Sequence, residues 1–171
     1  MIKKFLNHVF LIFLLHIASI SSSYAEILKK IEIVGNQRIS DDTIKVFIPF
    51  SINDDLDNQN LNLILKNLYE TNFFKDVNII FENNELKVTV IENPIIQKIK
   101  YNGIKAEKIR EPVLSKLKLK RRSSYNKLFL QQDKESIISS LKDLGYYFSK
   151  VDIFIEELED NKINIDFNID I

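Results

Sequence analysis

The chain has 171 residues, 45% hydrophobic and 28% charged, a globular composition that argues against disorder and leaves room for one or two small domains. Lysine plus arginine and aspartate plus glutamate both total 24, so no global field draws the chain to nucleic acid, and any recognition must be local. There is no cysteine, and both histidines, His8 and His16, lie near the start. Thiolate chemistry, disulfides and cysteine metal sites therefore drop out, and imidazole chemistry goes too if that end is removed.

Lys3 and Lys4 give a short positive end, and Val9 to Ile20 is an apolar run. Ser23-Tyr24-Ala25 places small residues where a signal peptidase reads them. The pattern predicts a signal peptide over residues 1–25, cleaved between Ala25 and Glu26. A membrane anchor is the rival, but a spanning helix needs about 20 apolar residues, and this run is shorter and broken by His16.

From Glu26 the hydrophobic period switches between 2 and 3.6 in the same order twice, as strand, helix, helix, strand, strand. In the first copy Ile31 and Ile33 alternate with Lys30 and Glu32 up to a turn at Gly35-Asn36. Ser40 is an N-cap with Asp41 and Asp42 in the first turn, and Ile39 can staple to Ile44. Asp57 caps a longer helix whose Leu61, Ile64, Leu65 and Leu68 form one stripe. That stripe needs a sheet face, supplied by Val77, Ile79 and Phe81 and by Leu86, Val88 and Val90 across a hairpin at Asn83-Asn84.

The second copy follows Asn93-Pro94 without a flexible linker. Gln97, Ile99 and Tyr101 alternate against Lys98 and Lys100 before Asn102-Gly103. A helix is expected near Glu111 with Pro112 in its first turn, and a longer one carries Leu130, Ile137, Leu141 and Leu144 up to Gly145. Val151, Ile153 and Ile155 then alternate with Asp152, Phe154 and Glu156, and the last strand alternates from Ile163 to Ile171.

The segments IEIVGNQRIS, LYETNFFKDVNI and VTVIENPIIQKIKYNG together resemble the first POTRA domain of the BamA family of outer-membrane protein assembly factors running into the second. LKDLGYYFSKVDI resembles the matching corner of that second domain. Asn72 stands where the family usually has glycine, and Asn102-Gly103 reverses its common Gly-Asn. The resemblance implies an α+β fold of two tandem POTRA domains, residues 26–92 and 93–171. Each is β-α-α-β-β, with a three-stranded mixed sheet carrying two helices on one face. Members of the family carry further POTRA domains and a transmembrane β-barrel, neither of which is expected within these residues, so membrane association would need that barrel.

Such a sheet leaves edge strands, whose unpaired N–H and C=O groups can accept an extended peptide. The resemblance implies that the strand after the second helix does this: Val77, Asn78, Ile79, Ile80 and Phe81 in one copy, and Val151, Asp152, Ile153, Phe154 and Ile155 in the other. Implied partners are unfolded outer-membrane proteins, periplasmic chaperones and assembly lipoproteins, in the periplasm at the outer membrane. Ile80 and Phe154 are apolar on otherwise polar strand faces and are candidates for a side-chain contact with a bound peptide or a neighbouring domain; scattered exposed apolar residues are the plainer reading.

The run Lys116, Lys118, Lys120, Arg121 and Arg122 reads as a solvated loop, with contact to lipid headgroups as its alternative. It lacks the interleaved aromatics that stack nucleic-acid bases. Asp54, Asp55 and Asp57 lack the alternate ligands, glycine and distal glutamate of an EF-hand, so no metal or other cofactor is expected. No nucleophile or glycine-rich cradle accompanies these carboxylates, which disfavours an envelope hydrolase. A secretion or division type of POTRA protein, and a scaffold that only spaces other parts, are the remaining alternatives.

Overall fold

The computed structural model describes residues 26–171. The expected signal segment, residues 1–25, with its cleavage position at Ala25, lies outside the described residues. The first unit comprises β1 (Glu26–Ile27), β2 (Lys30–Val34), α1 (Asp41–Lys45), β3 (Asp55–Leu56), α2 (Asn58–Glu70), β4 (Phe74–Glu82) and β5 (Glu85–Glu92). The second comprises β6 (Ile95–Asn102), α3 (Glu107–Leu114), α4 (Lys127–Asp143), β7 (Lys150–Leu158) and β8 (Lys162–Asp170).

Each unit holds one mixed sheet, ordered β2-β5-β4 and β6-β8-β7. The last strand of each unit lies in the middle, parallel to the first strand and antiparallel to the one before it. The hairpins that join the antiparallel pairs turn through two residues, Asn83-Asn84, and through three, Glu159-Asp160-Asn161, with both asparagines of the first and the last two residues of the second at positive φ. Inward residues of α2 and β4–β5 form one core around Ile44, Ile64, Leu68, Leu86 and Val88. A separate core gathers Ile137, Leu141, Val151, Ile165 and Phe167. Ser40 caps α1 by accepting from the Thr43 N–H, and Asp57 caps α2 by accepting from the Asn60 N–H, as their positions before each helix dictate.

The glycine is the fixed point of the turn after the first strand. Gly35 and Gly103 lie at φ +92 and +103, and a Cβ at either would meet a main-chain oxygen of the central strand, that of Val90 at 2.3 Å or Ile169 at 1.7 Å. Only glycine fits both constraints, whichever side its asparagine neighbour takes.

In both units a residue at the start of the sheet's first strand is tied to a distant loop: Leu28, two residues before β2, and Ile96, the second residue of β6. Leu28 donates to Asp54 and its carbonyl accepts from Asn53, while Ile96 donates to Ser123 and accepts from Arg122. Both anchors are fully buried.

Three expectations change. A bulge between Ile96 and Lys98 leaves Gln97 exposed, so Ile96 takes the inward place. Helix α3 starts at Glu107, and Pro112 sits in its last turn, where the helix ends two residues later and one lost hydrogen bond is tolerated. Leu144 is the C-cap of α4 and is exposed rather than core. The stripe of α4 contains Asp133 instead, 1% exposed, whose carboxylate accepts from the Lys118 and Leu119 N–H groups at 2.7 and 2.9 Å. A buried carboxylate is tolerated because those donors replace water.

Phe167, fully buried on β8, stacks on Tyr101 with centroids 5.0 Å apart. Truncating it to alanine should cost the second unit about 3–5 kcal/mol through lost burial and a residual cavity, measured as a shift of the urea midpoint.

Candidate functional site

Strands β4 and β7 are sheet edges, because β5 and β8 occupy the centre of each sheet. All ten sequence-nominated edge residues lie on them: Val77, Asn78, Ile79, Ile80 and Phe81 on β4, and Val151, Asp152, Ile153, Phe154 and Ile155 on β7. Val77 and Val151 are buried, and Ile79, Phe81 and Ile153 pack against their cores. These side chains fasten the edges to the fold, and the backbone is what remains to offer. The first unit's edge is partly closed at its start, since the Val77 N–H donates to the Tyr69 hydroxyl at 3.2 Å, which in turn donates to Asp76.

On the face away from the helices the two units match. Ile80 lies beside Lys87 and Glu32 in one cross-strand row, and Phe154 beside Asp166 and Lys100 in the equivalent row. They are 43% and 61% exposed, so each presents a large apolar group amid polar neighbours. Lys100 pairs with Asp166 at 3.4 Å, while Lys30 pairs with Glu85 at 2.6 Å one row away from Ile80.

The junction between the units is polar and specific. Asn72 ends α2 at φ 59, and its side chain accepts a short hydrogen bond from Asn126, the N-cap of α4. Asn93 donates its N–H to the Phe73 carbonyl and its amide to that of Asn72, and Asn161 donates to the Glu92 carbonyl. Beside these residues an inter-domain cleft of about 580 Å³ is bounded by the end of α2, the start of β4, the first turn of α4 and the far end of β7. Sequence reasoning missed Asn126 and Asn161, because partners in another domain leave no periodic trace.

The family described as POTRA, surface antigen variable number repeat, matches residues 27–93 and again 94–170. The chain belongs to the POTRA family. Among curated proteins it is similar to the outer membrane protein assembly factor BamA of Neisseria meningitidis serogroup B, 26% identical over 84% of this chain and 18% of that protein. It spans about a fifth of the length of the curated relatives it matches. Among solved structures it is similar to the N-terminal domain of Omp85 from Thermosynechococcus elongatus, with TM-score 0.53 and 17% identity, covering 82% of this chain and 61% of that one. It is also similar to POTRA1-2 of the periplasmic domain of Omp85 from Anabaena, with TM-score 0.50 and 13% identity, covering 84% and 94%.

The acidic and basic runs are absorbed by these POTRA folds. Asp54 accepts from the Ser51 N–H, Asp55 pairs with Ile27 in the short β1–β3 ribbon, and Asp57 is the α2 cap. Among the described residues no group of three or more acidic or histidine side chains is arranged around a metal position. In the basic run, Lys118 bonds Gln132 and lies 5.1 Å from the Phe129 ring centroid, and Arg121 donates to the Gln97 carbonyl.

Glu92 is the charged residue at the POTRA junction that alternation flags, since it continues the inward positions Leu86, Val88 and Val90. One carboxylate oxygen accepts from the N–H groups of Gln37, Arg38 and Ile39, each at 2.9 Å. Burial by itself would raise this carboxyl, but those three donors and the Arg38 guanidinium hold it below its ordinary value of 4.5. A lowered folded value means that the carboxylate stabilises the fold fully above the unfolded value and loses that contribution as pH falls through the folded one. Thermal unfolding from pH 7 to pH 3 should therefore show an acid-linked loss of stability, smaller in Glu92→Gln, which starts less stable at pH 7. Asn72→Gly should keep the left-handed cap, forfeit about 1 kcal/mol of hydrogen bonding and widen the range of inter-domain angles, read from residual dipolar couplings.

Proposed function

We propose that the chain is a non-enzymatic periplasmic module of outer-membrane protein assembly, which receives unfolded β-barrel precursors as extended strands added to the edges of β4 and β7. Periplasmic chaperones and assembly lipoproteins are the partners that fit this role, and export by the leader ending at Ala25 brings the module to them. The observation that carries this reading is the repetition. Both units leave the strand after the second helix at the sheet edge, and both place a large apolar side chain, Ile80 or Phe154, at the same point of its outward face. The names of the curated relatives, outer membrane protein assembly factors, support the assembly part of this reading.

Adding a strand to an edge satisfies backbone donors and acceptors on both sides and reads no side chain, so one edge can serve many clients. Side chains of the added strand then meet their neighbours on β4 or β7, and each good apolar pair adds a few tenths to about 1 kcal/mol. Binding of this type is weak at one edge and stronger when two edges engage one client.

Peptides of about ten residues with strand-like alternation should perturb backbone amide signals along β4 and β7 in NMR titrations, leaving α1 and α3 unmoved. Perturbations scattered over the helices and sparing both edges would remove the reading. Changing Ile80 and Phe154 together to lysine should weaken that binding about five- to tenfold, and an unchanged affinity would show that these two side chains contribute nothing.

A further inference from the structure

Ile155 shares strand parity with Val151 and Ile153, so it belongs on the face that α4 covers. Exposure nevertheless rises along the strand, from 3% at Val151 to 42% at Ile155. The cause is the end of the helix. Helix α4 begins at Lys127, and while Phe129 and Leu130 of its first turn pack on the second core, the residue of that turn beside Ile155 is Leu128, itself 61% exposed. Beyond it the inner face of β7 opens into the inter-domain cleft, whose apolar lining includes Ile155, Ile163, Leu128, Tyr125 and Tyr69, with Lys75, Lys127 and Glu157 also on its walls.

We propose that this cleft is a side-chain subsite that takes one large apolar residue, preferentially aromatic, from an extended peptide added to the free edge of β7. The inference rests on the strand-addition reading above and specifies what that site selects. A strand laid along β7 points alternate side chains to the helix face, about 5 Å from their cross-strand neighbours. The side chain next to Ile155 meets no helix there and falls into the cleft. At about 580 Å³ the space is well above one aromatic side chain, and two accessible aromatic residues, Tyr69 and Tyr125, supply walls for offset or edge-on ring contacts.

The walls come from both units, so the subsite exists only while the junction holds. The bonds of Asn72 to Asn126 and Asn93, with that of Asn161 to Glu92, keep the two walls in register before any peptide arrives. Preorganisation of this kind reduces the ordering cost of binding. The second unit thereby gains a preference built by both units, and the client class narrows to extended segments with a bulky apolar residue among alternating ones.

The test uses the whole chain and two fluorescent eleven-residue peptides of alternating threonine and valine, one with phenylalanine and one with alanine at the central inward position. Fluorescence anisotropy should show the phenylalanine peptide binding about tenfold more tightly, the increment expected from burying most of one aromatic side chain. In Leu128→Asp, where the acid also suits the first turn of a helix, the ratio of the two affinities should collapse towards one. Equal affinities for the unaltered chain, or a preference that survives Leu128→Asp, would overturn the subsite and leave edge binding intact. Failure of both peptides to bind would overturn the edge reading and the subsite with it.

Discussion

In each repeat the last strand, β5 or β8, is hydrogen-bonded on both sides, and the rest of the unit depends on that placement. The short hairpin makes it antiparallel to its predecessor, and on its other side it pairs in parallel with β2 or β6. Its inward side chains, from Leu86 to Val90 and from Ile163 to Ile169, are consequently all buried. The strand before it is pushed to the edge by the same pairing. Exposure of β4 and β7 is thus a consequence of topology, and no residue on those strands had to be chosen to produce it.

Polar groups settle what apolar burial leaves open. Glu92 and Asp133 are carboxylates inside core patterns, each holding backbone N–H groups of a loop that no strand or helix satisfies. Their burial is affordable because the donors are fixed by the fold. At the junction the asparagines act between units as these acids act within one. Amide groups that both donate and accept can join a helix end, a helix cap and a connecting strand without introducing charge, and the orientation they set is what makes a cleft out of two separate surfaces.

Much of this was legible along the chain. Alternation located the strands of both sheets, cap chemistry located Ser40 and Asp57, and the Asn83-Asn84 pair marked its hairpin, because each signal is local and its physical cause lies within a few residues. The misreadings have local causes as well. Pro112 suggested a helix start because proline is tolerated there, but it is tolerated near a helix end too. Gln97 seemed to continue an alternation that a one-residue bulge interrupts. Glu92 and Asp133 were passed over although each is a charged residue in an apolar register, and nothing nearby in sequence named their partners.

By itself the sequence determined two repeats of strand, helix, helix, strand, strand, their cores, and the exposure of Ile80 and Phe154 on otherwise polar faces. Periodicity carries that information, since a side chain's direction follows from the backbone period alone. Tertiary structure decided which strand takes the centre of each sheet, how Asn72 meets Asn126, and why Ile155 stands open where its parity places it inside. Each of these depends on residues brought together from distant parts of the chain, and the register between such segments is set by packing and hydrogen bonding after the local elements have formed.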